Sequence, residues 1–141
     1  YISPPILETI MKLWIDDIRE APVGYTHIAT NYQEAIDIIN LYSEQLTHLS
    51  FDNDLGELSV DKDGNELSGY EIASYIEEKF MMREMRFESL IGLQAHSSNY
   101  WGRKRIYAAM MYIACNHDNN IKVYESPYEN MVYCDAFGFK I

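Results

Sequence analysis

The feature that most constrains this chain is an alternation. Short apolar runs that stop abruptly at polar residues take turns with longer stretches whose apolar residues recur at helical spacing. Lys12-Leu13-Trp14-Ile15 stops at Asp16-Asp17, residues 47–51 stop at Asp52-Asn53-Asp54, and residues 90–95 stop at His96-Ser97-Ser98-Asn99. A short apolar run bounded by charge suits a buried strand. Between the runs, Ala35, Ile36, Ile39 and Tyr42 share one face of a helix opened by Thr30 with Gln33, or by Asn31 with Glu34. Ile72, Ala73, Ile76 and Phe80 share a second, opened by Ser68 with Glu71, and Ile106, Met110 and Ile113 mark a third. Strands alternating with helices predict an α/β domain with a mainly parallel sheet. At 141 residues the chain can bury a core without a metal or a disulfide.

The other segments qualify that frame. The first crossover, with Pro22 and Gly24, is too short for a full helix, and His27-Ile28-Ala29 is a weak strand. Asp61-Lys62-Asp63-Gly64-Asn65 reads as an exposed loop tip or hairpin. A calcium loop there would put Ser59 first and Tyr70 twelfth, where carboxylates are needed, so that reading is rejected. The tail, residues 121–141, reads as one or two strands with Pro127 between them. The expected organisation is an extension at 1–10, native or added, an α/β domain at 11–116 and a C-terminal strand extension at 117–141 packed on the same domain.

Charge narrows the partners. Eleven Lys and Arg against 22 Asp and Glu give −11, a field that repels extended duplex nucleic acid but leaves room for a small phosphorylated ligand held through a metal ion. Cys115 and Cys134 lack metal-type spacing and read as free thiols of a cytoplasmic protein. No run approaches the roughly 20 apolar residues of a spanning helix, so no membrane partner is expected.

In an open parallel sheet, ligands bind beyond the carboxyl ends of the strands, where three polar clusters fall. Neighbouring strands lie about 4.8 Å apart, so Asp16, Asp17, Asp52 and Asp54 can converge on one ion. Carboxylates crowded in this way repel one another, and a hard cation such as Mg²⁺ relieves the repulsion through the oxygen ligands it prefers. Singly, each of these Asp residues is an ordinary loop residue; their common position after buried-strand runs is the signal. His96 suits phosphate binding or general-acid work, and equally a hydrogen-bonded structural role. Asn99 leads into a helix that carries Arg103, Lys104 and Arg105 near its start, where cations oppose the macrodipole unless an anion is near. Arg103 has the fork for bidentate phosphate contact, or simply balances an acidic protein. Tyr100 and Trp101 can stack on a nucleobase, or one packs inward while the other covers a surface.

Asp16-Asp17, Leu49-Ser50-Phe51-Asp52-Asn53-Asp54-Leu55-Gly56, Gly69-Tyr70 and His96-Ser97-Ser98-Asn99 with Gly102-Arg103 together resemble the cyclic-phosphate-processing receiver-like family, a branch of the response-regulator receiver superfamily. The resemblance covers roughly residues 11–115 and implies a flavodoxin-like fold. It also implies that Asp16 and Asp17 match the acidic metal pair, Asp52 the phosphoacceptor position, and Ser97 the hydroxyl residue closing the fourth strand. Ordinary receivers carry a Lys-Pro pair after the last strand, where this chain has Ser126-Pro127. The expectation is therefore Mg²⁺-dependent, phosphoesterase-like processing of a cyclic phosphate, on a nucleotide or an RNA end. Asp16, Asp17 and Asp52 would hold the metal, and Ser97, Asn99 and Arg103 the phosphate. Asp54 would orient water, Arg103 stabilise charge and His96 protonate the leaving oxygen. The alternatives are a phosphoacceptor signalling module and a non-catalytic acidic protein that binds or inhibits a basic partner.

Overall fold

The computed structural model describes residues 10–133 and Phe139. Five strands, β1 (Lys12–Ile15), β2 (His27–Ala29), β3 (His48–Phe51), β4 (Gly92–Ala95) and β5 (Lys122–Glu125), form one wholly parallel sheet in the order β2-β1-β3-β4-β5. Three helices, α1 (Tyr32–Tyr42), α2 (Gly69–Met81) and α3 (Tyr100–Cys115), fill the last three crossovers. This is the flavodoxin-like, receiver-like α/β fold expected from the alternation.

Handedness explains where the helices sit. From β2 to β3, β3 to β4 and β4 to β5 the chain always steps in the same direction across the sheet. Right-handed crossovers then put all three helices on one face. That face presents Leu13 and Ile15, Leu49 and Phe51, Leu93 and Ala95, which share a single core with Ile36, Ile39, Ile72, Ile76, Ile106, Met110 and Ile113. Each fully buried aliphatic or aromatic side chain here contributes roughly 1.5–3 kcal/mol.

The step from β1 to β2 runs the other way, so its crossover belongs to the opposite face. Residues 16–26 form a loop there, and among the described residues no α-helix covers that side. The alternate strand residues, Lys12, Trp14, Ser50 and Gln94, point to it and are nonetheless fully buried. Their cover is aromatic: Tyr25 and Tyr128 meet Trp14 edge-on, and Phe139 packs on His48 and under the Lys12 ammonium.

The local signals act as read, with two refinements. Asn31 caps α1 by accepting from the Glu34 N–H, while the Glu34 carboxylate reaches back to the N–H and hydroxyl of Thr30 rather than to Asn31. Ser68 precedes α2 without making a side-chain cap. The segment around Asp61 is a hairpin tip closed by a Val60–Glu66 bridge, with the Asp61 carboxylate accepting from the N–H groups of Asp63 and Asn65. Of the one or two strands expected in the C-terminal tail, the described residues contain one. β5 is the edge strand of the main sheet, and after Pro127 the chain turns into a 3-10 helix, Tyr128–Tyr133, instead of a second strand. Residues 134–138, 140 and 141, where more strand was expected, lie outside those described, as do residues 1–9. Among the described residues no helix is long and apolar enough to cross a membrane.

Candidate functional site

The carboxyl ends of β1, β3 and β4 open on a cleft of about 200 Å³ lined by Asp17, Ile18, Arg19, Asp52, Asp54, Ser98 and Asn99. Asp16 is buried beside the lining residues Asp17 and Asp52. One carboxylate oxygen from each of Asp16, Asp17 and Asp52 lies within 4.8 Å of the other two. Parallel pairing produces this convergence: Ile15 and Phe51 are register partners, so the acidic residues that follow them end side by side.

The two buried carboxylates are tuned in opposite directions. Burial penalises the Asp16 charge, but His96 and the N–H groups of Arg19 and Ile18 more than offset it, and its pKa lies below the usual range. Asp52 is pushed up to about 6, by burial first and by the Asp16 charge second, despite Ser97, the Asn53 N–H and Arg19. Arg19 spans the pair, its guanidinium 3.6 Å from Asp52 Oδ2 and 4.0 Å from Asp16 Oδ2, and it donates to Ser98 Oγ at 3.0 Å. Ser98 in turn donates to Glu129, which ties the C-terminal 3-10 helix to the cleft wall. An all-oxygen set carrying excess negative charge fits a hard divalent cation such as Mg²⁺.

Behind Asp16 runs a chain of buried hydrogen bonds along the face opposite the three α-helices. The Gln94 amide donates to Ser50 Oγ at 3.0 Å, the Ser50 hydroxyl donates to His96 Nδ1 at 2.7 Å, and His96 Nε2–H donates to Asp16 Oδ2 at 3.0 Å. Burial keeps the imidazole neutral by lowering its pKa, which fixes this direction of donation. The Trp14 indole lies flat on the ring, centroids 3.8 Å apart and planes at 4°, and holds it in orientation.

The sequence-predicted residues therefore divide. Asp16, Asp17, Asp52, Asp54 and Asn99 come together at the cleft, where the Asn99 amide approaches both Asp54 oxygens at 3.5 Å while its own oxygen caps α3. Ser97 lies just beneath, its hydroxyl bonded to Asp52 and accepting from the Asn99 N–H. His96 is fully buried, with both ring nitrogens engaged, and does not line the cleft. Arg103 also points away: its guanidinium donates to the Ser97 carbonyl and to Glu125, which Lys104 also pairs. Thus Arg103 braces the loop that presents Ser98 and Asn99. The glycines answer to close approach. A Cβ on Gly102 would stand 2.3 Å from the Asn53 amide, and one on Gly69 would stand 1.8 Å from the Asp52 carbonyl oxygen. Sequence reasoning missed Arg19. The available signal was its isolation, since no other Lys or Arg occurs between Lys12 and Lys62.

Residues 11–112 match the family described as the cyclic-phosphate processing receiver domain. No curated protein and no solved structure matches the chain.

Proposed function

This chain belongs to the cyclic-phosphate processing receiver domain family, and from that premise we propose that it is a divalent-cation-dependent phosphoesterase that opens a cyclic phosphate. One observation carries the reading: three carboxylates and one arginine from two adjacent strand ends converge on one cleft at the ligand-binding edge of the sheet. Asp16, Asp17 and Asp52 would hold Mg²⁺. When bound, the cation supplies neutralisation of the carboxylates and polarisation of phosphoryl oxygens. Arg19, held by the Ser98 hydroxyl that accepts from it, faces the same space and orients the remaining phosphate oxygens. Asp54, exposed at the mouth and beside the Asn99 amide, orients the attacking water and accepts its proton. Water adds across one P–O ester bond; the phosphorus keeps the new oxygen as a monoester, and the released ring oxygen takes a proton from solvent. His96 acts on Asp16, whose orientation and charge it maintains, and Arg103 acts on the loop carrying Ser98 and Asn99.

The test is phosphorus NMR of a nucleoside 2′,3′-cyclic phosphate incubated with protein and Mg²⁺. A monoester signal that requires both the cation and Asp52, lost in Asp52→Asn, is the expected result. Its absence at high protein concentration overturns the catalytic reading.

A second reading keeps support from one observation: Asp52 directly follows β3, the position of a receiver phosphoacceptor. Against it, Ser126-Pro127 follows β5, so a serine stands where a receiver's lysine would report on the phosphate. Stable phosphoryl-analogue incorporation at Asp52 without turnover would favour the signalling module.

A further inference from the structure

The cleft is smaller than a whole ligand. Its volume of about 200 Å³ falls below the roughly 300–1,000 Å³ of pockets that enclose small organic ligands, so it suits a phosphate group whose remainder lies on the rim. That rim is unexpectedly apolar. Ile18, Leu58 and Trp101 are 85%, 87% and 75% exposed, on three separate segments. Ile18 lines the cleft itself. Leu58 sits in the turn starting at Gly56, where an added Cβ would stand 2.6 Å from Asp17 Oδ2. Trp101 follows Asn99 by two residues, in the first turn of α3. Side chains on a helix lean toward its N-terminus, which here means toward the cleft. Single exposed apolar residues are ordinary, but here one lines a polar cleft and two lie on segments that adjoin it, so a ligand reaching past the cleft meets apolar side chains.

Charge says what rests on it. Among the described residues Arg19 is the one cation lining the cleft, Arg103 and Lys104 are paired with Glu125, and the whole chain carries −11. A strand of successive phosphates finds no basic track at the cleft among the described residues. Affinity beyond one phosphate must come from an uncharged group, and the face of an indole selects a planar aromatic one. Tyr100 meets Trp101 edge-on, centroids 5.0 Å apart and planes at 89°, and so steadies the indole without stacking flat on it.

We infer that Trp101 is a stacking platform for a base, and that the ligand is a nucleoside phosphate of about one nucleotide rather than a longer strand. This rests on the phosphate-binding reading of the cleft. The test is titration calorimetry in Mg²⁺ with four probes: inorganic phosphate, a cyclic phosphate of a non-aromatic diol, adenosine 2′,3′-cyclic phosphate, and a tetranucleotide ending in a cyclic phosphate. The adenosine compound should bind about tenfold or more tighter than the diol compound, in line with base–aromatic stacking. Trp101→Ala should erase that gap, Trp101→Phe should keep most of it, and inorganic phosphate should bind all three proteins alike. No gap in the wild type, a gap that survives Trp101→Ala, or tighter binding of the tetranucleotide overturns the platform. A separate variant tests the underlying reading: if Asp52→Ala binds Mg²⁺ and inorganic phosphate as the wild type does, the cleft assignment itself fails.

Discussion

Leu49 and Ser50 are neighbours in the middle of β3, yet they face opposite sides of the sheet and work differently. Leu49 belongs to an apolar face packed by three helices, where burial supplies stability and any well-shaped hydrocarbon would serve. Ser50 belongs to a face that no α-helix among the described residues covers, where Lys12, Trp14, Gln94 and His96 are buried. There the cover is a loop and a few aromatic rings, and polar groups persist because each is hydrogen-bonded or stacked. The helix face holds the fold. The opposite face holds the orientation of Asp16 and, through it, the cleft.

That contrast can be broken by experiment. Leu49→Ala should cost about 2–5 kcal/mol in denaturant unfolding and leave cation affinity of the folded protein unchanged. A loss of affinity without a loss of stability would remove the division of labour. His96→Ala should weaken Mg²⁺ binding about 10–100-fold, because the partner that orients Asp16 is gone. If turnover falls far more than affinity, His96 is instead the proton donor to the leaving oxygen, and the buried geometry opens during reaction. Ser50→Ala should cost about 1–3 kcal/mol by leaving the Gln94 amide and His96 Nδ1 without the hydroxyl between them. Nitrogen NMR should show His96 as the Nε2–H tautomer in the wild type and a mixture in this variant.

The pH dependence sharpens the same comparison. Asp52 titrates near 6 in the folded protein and near 3.9 as an ordinary Asp, so between those values the native state holds a proton that the unfolded chain has released. Its contribution to stability is therefore full below about 3.9 and falls as pH rises to about 6. Mg²⁺ competes with that proton, so apparent affinity should climb up to about pH 6 and then level off. Asp52→Asn should flatten the stability change, and a wild-type affinity flat from pH 5 to 7 would contradict the assignment. The smallest effect belongs to the helix face: Asn31→Ala removes the α1 cap and should cost about 1 kcal/mol with no change at the cleft.

Much of the fold was legible because it is local and periodic. Ile72, Ala73 and Ile76 declare one helix face by spacing alone, and Asn31 with Glu34 marks a helix start that the backbone then uses. The acidic ends of β1 and β3 were legible for the same reason, since each lies directly after a short apolar run. Arg19 was not, because a guanidinium on a loop reaches its partners through space. The roles of His96 and Arg103 were illegible for a related reason: residue type states what a side chain can do, and only its surroundings state whether it faces a ligand or a neighbouring chain segment.

The sequence by itself determined the order of strands and helices, the apolar composition of one sheet face, and the acidic character of the strand ends. These follow from side-chain period and from what short buried runs must be bounded by. Tertiary structure alone decided that all three helices share a face, because crossover handedness acts on strand order and not on residue identity. It also turned His96 inward to Asp16, tied Arg103 to Glu125 and left Arg19 facing the cleft. Those outcomes depend on distances between residues 22 to 80 positions apart, such as Arg103 with Glu125 and Asp16 with His96, which no local pattern encodes.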